Sequence, residues 1–385
     1  MPRLSSIIWF IGAPLQVMQS RGGLMSSSVA RQRPVRLFLS GPAAGVIGGL
    51  EAGRAAGFSD LITVDIGGTH ARFAIASIGD GGAISLDEPE TLHTADHASF
   101  QTAWQHFREL RGGTLPAAVS MAIAGPVGSP GNLNPVIRFT NNPWIIRPAL
   151  INEKLEVERF TLVNDFAAVA HAVARADDSQ FLHLAGPDAP LGREGTISVI
   201  GPGTGLGVAH LYRSGGSYRV QATEGGHIDF APLDSIEDAI LARLRSRHNR
   251  VSVERVVSGP AIVDIYEALA AMEGRSVPEL DAITIWGLGT SGEDSLAAAA
   301  VDRFCLSLGS AAGDLALAQG GFAGVVIAGG LGYRIRDTLL TSGFAARFKA
   351  KGRFESLMAN IPVKLIVHPQ PGLFGAAAAF ASEHA

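Results

Sequence analysis

The sequence predicts a mixed α/β protein of two lobes with a cleft between them. Three observations carry this. The chain has 385 residues, more than one ordinary domain uses. Short apolar runs, each stopped by Gly, Pro or Asn, alternate with longer helical patterns. Three of those runs end in a glycine cluster, as a strand does when it feeds a tight turn.

Residues 1–60 read differently from the rest: an apolar start, a polar stretch from Gln19 to Arg33, then a Gly/Ala-rich segment from Gly41 to Gly57. Leu4 to Val17 comes closest to a secretory or membrane-spanning run. Pro14 interrupts it, it falls short of ~18 apolar residues, and no clear cleavage pattern follows. From Leu61 to Ile66 a strand is expected, broken by Gly67-Gly68 and resumed from Ala71 to Ile78, which makes a hairpin with a glycine turn. Further strands are expected at Ala117–Ala124, Phe160–Val163, Thr196–Ile200, Gly324–Ala328 and Val363–Val367. Helical patterns lie at Phe100–Arg111, Phe166–Ala176, Ile236–Arg247, Ala261–Met272, Leu296–Leu317 and Leu373–Ser382. Asp234 and Ser235 are cap candidates for the third of these, with Glu237 and Asp238 in its first turn. The alanine-rich last helix is expected to pack back on the first lobe. The division expected is an extension over 1–60, a small lobe over 61–175 plus 368–385, and a large lobe over 176–367.

Lys plus Arg number 31 against 35 Asp plus Glu, a net charge of -4, so no basic field exists to hold nucleic acid or an anionic membrane. A small-molecule partner is expected. Charged residues make up 17%, below the typical ~25%, and hydrophobic residues 47%, which fits a well-buried chain. Glycine occurs 47 times, against about 27 at typical usage, and this favours close backbone approaches. Cys305 is the single cysteine, which excludes an internal disulfide and a multi-cysteine zinc site, and points to a reducing compartment, the cytoplasm.

The first glycine cluster is Asp65-Ile-Gly-Gly-Thr69. Bare backbone at Gly67 and Gly68 admits a ligand, N–H groups up to Thr69 can face phosphate oxygens, and Asp65 can reach a Mg²⁺ bound to them. An ordinary hairpin turn is the other reading. The second is Gly201-Pro-Gly-Thr-Gly-Leu-Gly207, where the glycines around Thr204 would supply donors for phosphates or form a structural loop. Neither cluster matches the P-loop, and the second misses G-x-G-x-x-G, so P-loop and Rossmann enzymes are disfavoured. The third, Ile327-Ala-Gly-Gly-Leu-Gly332, would let an adenosine ring lie against backbone, or is a plain strand-to-helix turn.

Asp165 stands at the end of a strand and the start of a helix, where it could accept a proton from an alcohol or simply cap the helix. Glu224-Gly-Gly-His227 brackets a glycine pair read as flexible. Its carboxylate and imidazole could clamp vicinal sugar hydroxyls, or merely be solvated. Glu254 is a further candidate, with solvation or an ion pair to Arg255 as its alternative. A metal at His227 is weakly supported, because no second His or Cys stands at ligand spacing.

The combination resembles the bacterial glucokinase family within the hexokinase and actin superfamily. It rests on Asp65-Ile-Gly-Gly-Thr69 with Ala71-Arg72, Thr140-Asn141, Asn164-Asp165-Phe166, Gly203-Thr-Gly-Leu-Gly-Val-Ala-His210, Glu224-Gly-Gly-His-Ile-Asp-Phe-Ala-Pro232, Val253-Glu-Arg-Val-Val-Ser-Gly-Pro260, Ile327-Ala-Gly-Gly330 and Pro371-Gly372. The resemblance implies a two-lobed actin/hexokinase-like, ribonuclease H-like fold and MgATP-dependent phosphorylation of D-glucose at its 6-hydroxyl. Asp165 would be the general base, and Asn141, Asn164, Glu224, His227 and Glu254 would hold the sugar. Asp65 would reach Mg²⁺ through water. Gly67, Gly68 and Thr69, with Gly203, Thr204 and Gly205, would bracket the ATP phosphates, and Gly329 and Gly330 would lie beside the nucleotide. The partners implied are glucose and ATP, with a homodimer as the assembly to test. His70 departs from the Asn common at that place in the family.

Residues 18–69 also resemble an internal stretch of hydantoinase A and 5-oxoprolinase proteins, through Met18-Gln-Ser-Arg-Gly-Gly-Leu-Met-Ser26, Arg33-Pro-Val-Arg36 and Leu39-Ser-Gly-Pro-Ala-Ala-Gly45. The rivals are therefore a kinase for another hexose, an ATP-dependent hydrolase of the hydantoinase or oxoprolinase type, and a non-catalytic sugar sensor. The hydrolase lacks here most of its much longer chain. The sensor would lack the base, and Asp165 is present.

Overall fold

The computed structural model describes residues 16–18, 24–26, 59–79, 82–125, 127, 136–139 and 142–384. The chain divides into two compact units, residues 1–59 with 381–385, and residues 60–380. In the first, β1 (Gln16–Met18) and β2 (Leu24–Ser26) form an antiparallel ribbon with Val17 opposite Met25.

The second unit holds two six-stranded sheets of one plan. The first contains β3 (Asp60–Ile66), β4 (His70–Ile78), β5 (Ile84–Leu86), β6 (Glu90–His93), β7 (Ala118–Ile123) and, after a small ribbon of β8 (Ile137–Arg138) and β9 (Ile145–Ile146), β10 (Arg159–Asn164). Its order is β10-β7-β3-β4-β5, with β6 also on β4. The second contains β11 (Phe181–Ala185), β12 (Gly195–Pro202), β13 (Leu206–Ser214), β14 (Ser217–Thr223), β15 (Gly324–Ile327) and β16 (Val363–Ile366), in the order β11-β16-β15-β12-β13-β14. In each sheet a founding strand, β3 or β12, has an antiparallel hairpin partner on one side and a parallel strand on the other. Parallel neighbours need long crossovers, and helices supply them. This doubled plan is the ribonuclease H-like α/β fold expected. The hairpins β3–β4 and β12–β13 are equivalent in it, and each carries one of the first two glycine clusters at its turn.

The helices are α1 (Phe100–Leu110), α2 (Ile151–Leu155), α3 (Asp165–Arg175), α4 (Ser235–Arg245), α5 (Ala261–Met272), α6 (Ala282–Ser291), α7 (Ser295–Gln319), α8 (Gly329–Arg334), α9 (Arg336–Thr341), α10 (Phe344–Lys349), α11 (Glu355–Met358) and α12 (Pro371–His384). Asp234 caps α4 as expected, accepting from the N–H groups of Ile236 at 3.1 Å and Glu237 at 3.0 Å. Glu237 does more than face the helix dipole. It is buried, with Arg347 at 3.1 Å and the Leu233 N–H at 2.7 Å, so it locks the start of α4 to α10.

Each sheet has its own core. Beneath the first, Phe73, Phe100, Trp104, Phe107 and Trp144 interlock, with Phe73 and Phe107 stacked at 5.1 Å between centroids. Truncating a buried aromatic of this kind costs ~3–5 kcal/mol. Beneath the second, α7 is the central rod, and Phe304 on it meets Trp286 of α6 edge-on at 5.0 Å. Cys305, also on α7, is buried, and burial pushes its thiol up to about 12. Helix α3 touches both sheets. Ala167 and Ala168 pack with Ala122, Val163 and Ala376, while Val169 and Val173 pack with Ile197, Val199 and Leu211. A Cβ at Gly375 would fall 1.8 Å from the Ala168 carbonyl oxygen, so α12 and α3 are nearly in backbone contact. Thr63 and Ser120 donate to the α12 carbonyls of Leu373 and Ala376, at 2.7 and 2.6 Å. Among the described residues no helix is long and apolar enough to cross a membrane.

Candidate active site

Asp65 is the penultimate residue of β3, opposite Arg72 of β4, whose guanidinium reaches it at 3.3 Å. Burial raises the Asp65 carboxyl above its ordinary value, and Arg72 only partly opposes this. A Cβ at position 372 would stand 2.7 Å from an Asp65 oxygen, which is why α12 opens with Pro371-Gly372. The turn that follows is tightly held. Thr94 Oγ1 donates to Gly68 O at 2.8 Å, the Thr94 N–H to Thr69 O at 3.0 Å, and Asn142 Nδ2 to Gly67 O at 3.3 Å. The Gly67 N–H closes the hairpin on His70 O at 2.9 Å, which leaves the N–H groups of Gly68 and Thr69 for a ligand. His70, after the turn, has its ring 4.5 Å from that of His93.

Asn164 and Asp165 divide the labour at the end of β10. Asn164 is the helix cap: its Oδ1 accepts from the N–H groups of Phe166 and Ala167, both at 3.0 Å, and its Nδ2 donates to Gly125 O at 3.1 Å. Asp165 is therefore not needed as the cap. It is the first residue of α3, its Oδ1 meeting the Phe166 N–H at 2.9 Å. Burial above all, then the charges of Asp65 and Glu224, push its carboxyl up to about 6, against the pull of the Phe166 N–H. The three carboxylates thus share one locality.

The second glycine cluster sorts by what each bare Cα faces. Cβ atoms at Gly201 and Gly207, cross-strand partners, would fall 2.4 and 2.1 Å from the Phe166 ring. These two glycines form the slot that seats Phe166, and so fix Asp165 beside it. A Cβ at Gly205 would meet Glu254 at 2.4 Å, and only Gly203 faces open space within 4 Å. Thr204 is exposed between them. Gly329 (φ +88°) approaches Pro202 O, and Gly330 faces open space, so the third cluster lies alongside the second.

Glu224 and His227 are both exposed, 3.9 Å apart. The glycine pair between them is not a flexible joint, contrary to the sequence reading. A Cβ at Gly225 would strike Val208 at 2.9 Å, and one at Gly226 the Leu206 carbonyl at 2.3 Å, so the segment is pressed flat on β13. Glu254 forms no ion pair with Arg255; its Oε2 accepts from the Leu206 N–H at 2.8 Å. Asn141 lies outside the described residues. Among the described residues no group of three or more His, Cys, Asp or Glu could hold a metal by itself. Sequence reasoning quoted Arg72 beside the first turn without its pairing to Asp65, and missed Thr94, Asn142 and Trp286, whose Nε1 donates to Gly259 O at 2.9 Å, as supports. Asn142 stood next to a quoted Asn, but Thr94 and Trp286 act from separate elements and left no local signal.

The Glucokinase family profile matches residues 62–383, and the Hydantoinase/oxoprolinase profile matches residues 8–92. The glucokinase of Zymomonas mobilis is 57% identical over 325 residues, covering 84% of this chain and 98% of that protein. A crystal structure of glucokinase from an Antarctic psychrotroph has a TM-score of 0.73 at 36% identity, over 83% of this chain and 98% of that one. The glucokinase of Balamuthia mandrillaris, solved in complex with glucose, is 22% identical with a TM-score of 0.67, over 87% of this chain and 98% of that one; it bears on the fold alone. With a profile spanning most of its length and a relative at this identity, the chain belongs to the glucokinase family.

Proposed function

We infer that the chain transfers the γ-phosphoryl group of ATP to the 6-hydroxyl of D-glucose. The observation that carries this is Asp165: a carboxylate released from capping duty by Asn164, raised to about 6, and near Asp65 and Glu224. A base poised near working pH can take a proton from an alcohol without being permanently protonated.

In this reading Asp165 accepts the 6-hydroxyl proton as that oxygen attacks the γ-phosphorus, and the bridging oxygen leaves with ADP. Asn141, Asn164, Glu224, His227 and Glu254 hold the sugar. The turns Gly67–Thr69 and Gly203–Gly205 bracket the phosphates; the Gly67 and Gly203 N–H groups close their own turns on His70 O and Gly205 O, so the donors are those of Gly68, Thr69, Thr204 and Gly205, with Gly329 and Gly330 beside the nucleoside. Asp65, on β3 two residues before the Gly67–Thr69 turn, would reach Mg²⁺ through water, as an ion of the kind held by one carboxylate plus substrate phosphates. When bound, the ion neutralises charge on the transferring group. The lobes of this proposal are residues 61–175 with 368–385, and 176–367, with 1–60 as an extension. Its setting is the cytoplasm, and its assembly a homodimer to be read by sedimentation.

The test is a coupled assay with MgATP and a sugar panel. Glucose should be the preferred substrate, with weaker use of sugars altered where Glu224 and His227 bind, because a missing hydroxyl leaves clamp groups unpaired. Equal turnover of fructose or an N-acetylated hexose contradicts the glucose assignment.

A further inference from the structure

We propose that Glu254 is a positioning residue for the nucleotide as well as a sugar contact, tying the sugar side of the site to the phosphate loop. This rests on the functional reading just given. Glu254 sits in a single turn, Val253–Arg255, packed beside the Gly225–His227 turn, and the Val253 N–H donates to Ile228 O at 2.9 Å. Its Oε2 accepts from the Leu206 N–H at 2.8 Å, while Oε1 has no hydrogen bond among the described residues. Gly205 is bare because a Cβ there would fall 2.4 Å from that same Oε2. One oxygen of the carboxylate therefore braces the Gly203–Leu206 loop, and the other is left for a hydroxyl.

The brace is doubled from the same segment. The Gly259 N–H donates to Gly203 O at 2.7 Å, and Gly259 O accepts from Trp286 Nε1 at 2.9 Å. The loop is thus gripped at both ends by residues 254–259, so a sugar that orders Glu254 also orders the donors for phosphate.

Calorimetry on the full chain, without sugar, reads the brace by titrating the Mg²⁺ complex of a non-hydrolysable ATP analogue. Glu254→Ala should weaken that binding ~3- to 10-fold, the size of one ordinary lost hydrogen bond, because the carboxylate acts on the nucleotide only through the loop. Glu254→Gln keeps an acceptor for Leu206 and should hold nucleotide affinity within ~2-fold of the parent while still losing glucose affinity. This split carries the test even where the alanine variant does not fold, since a merely structural role would move both ligands together. Nucleotide affinity unchanged in Glu254→Ala, or lost equally in Glu254→Gln, overturns the inference alone, provided the parent binds both ligands. A parent that binds no glucose overturns the functional reading and the inference with it.

Discussion

The two equivalent hairpin turns solve different problems with the same residue. At the β3–β4 turn, the glycines lie among polar partners: Asn142 and Thr94 engage the carbonyls of Gly67 and Gly68, and the hairpin itself takes the Gly67 N–H on His70 O. At the β12–β13 turn, three of the four glycines exist because something else occupies the Cβ position: Phe166 for Gly201 and Gly207, Glu254 for Gly205. A glycine cluster records close approach, and what approaches decides its meaning. In the second hairpin the approaching side chains belong to or adjoin the proposed chemistry, so packing glycines serve the site indirectly.

The contrast breaks most sharply by substitution within the second turn. Gly207→Ala drives a methyl into the Phe166 ring and should displace Asp165, lowering kcat by about 10²-fold, as a misplacement of ~1 Å can. Overpacking should cost ~1–3 kcal/mol of stability as well. Gly203→Ala places its methyl in open space with no left-handed φ to forbid it. It should leave stability within ~0.5 kcal/mol and instead raise the KM for ATP ~10-fold by obstructing one phosphate donor. Steady-state kinetics with thermal melts on both variants separates them, and a reversed pattern would show that the loop's roles are misassigned.

The pH dependence is the next largest effect. With the Asp165 carboxyl raised from 3.8 to about 6, kcat/KM should fall roughly tenfold per pH unit below about 6. The sign for stability is opposite. A raised carboxyl favours the folded state when protonated, so its contribution is full below 3.8 and is lost as pH rises through about 6. Asp165→Asn should therefore melt above the parent at pH 8, and the gap should close as the pH falls towards 4. A gap that does not change with pH would mean that burial and the Asp65 and Glu224 charges do not act on Asp165.

The fold was legible wherever an apolar run met a glycine or a cap. β3, β7, β10, β12, β15 and β16 lie where runs were stopped, and α5 spans Ala261–Met272 as read. β14 was missed because it is an edge strand, alternating exposed and half-buried residues from Ser217 to Thr223, without a fully buried face. Helix α6 was missed for the opposite reason: its Gly287 and Gly289 and its β-branched residues argue against a helix. Tertiary packing overrides this, because Gly289 lies where a Cβ would meet Ala297 O at 2.6 Å, and Asp281 caps Thr284 at 2.8 Å. In the site, residue types were legible but their supports were not. Nothing local links Phe166 to Gly207, or Glu254 to Leu206.

The smallest effect expected concerns residues 1–58. The glucokinase match begins at residue 62, and every proposed site residue follows it. Deleting 1–58 should leave kcat/KM within a few-fold and the thermal midpoint nearly unchanged. A collapse of either would place the boundary of the kinase further upstream and weaken the contrast between the hairpins, since the first would then have a further support.

On this reading Asp165 is the base and Asn164 the cap. Single-turnover transfer from ATP to glucose in Asp165→Asn, with glucose affinity measured calorimetrically on the same protein, tests it most directly. The transfer rate should fall by ~10²- to 10⁴-fold while glucose affinity stays near that of the parent. A near-parental rate would contradict the claim and return Asp165 to a structural role at the start of α3.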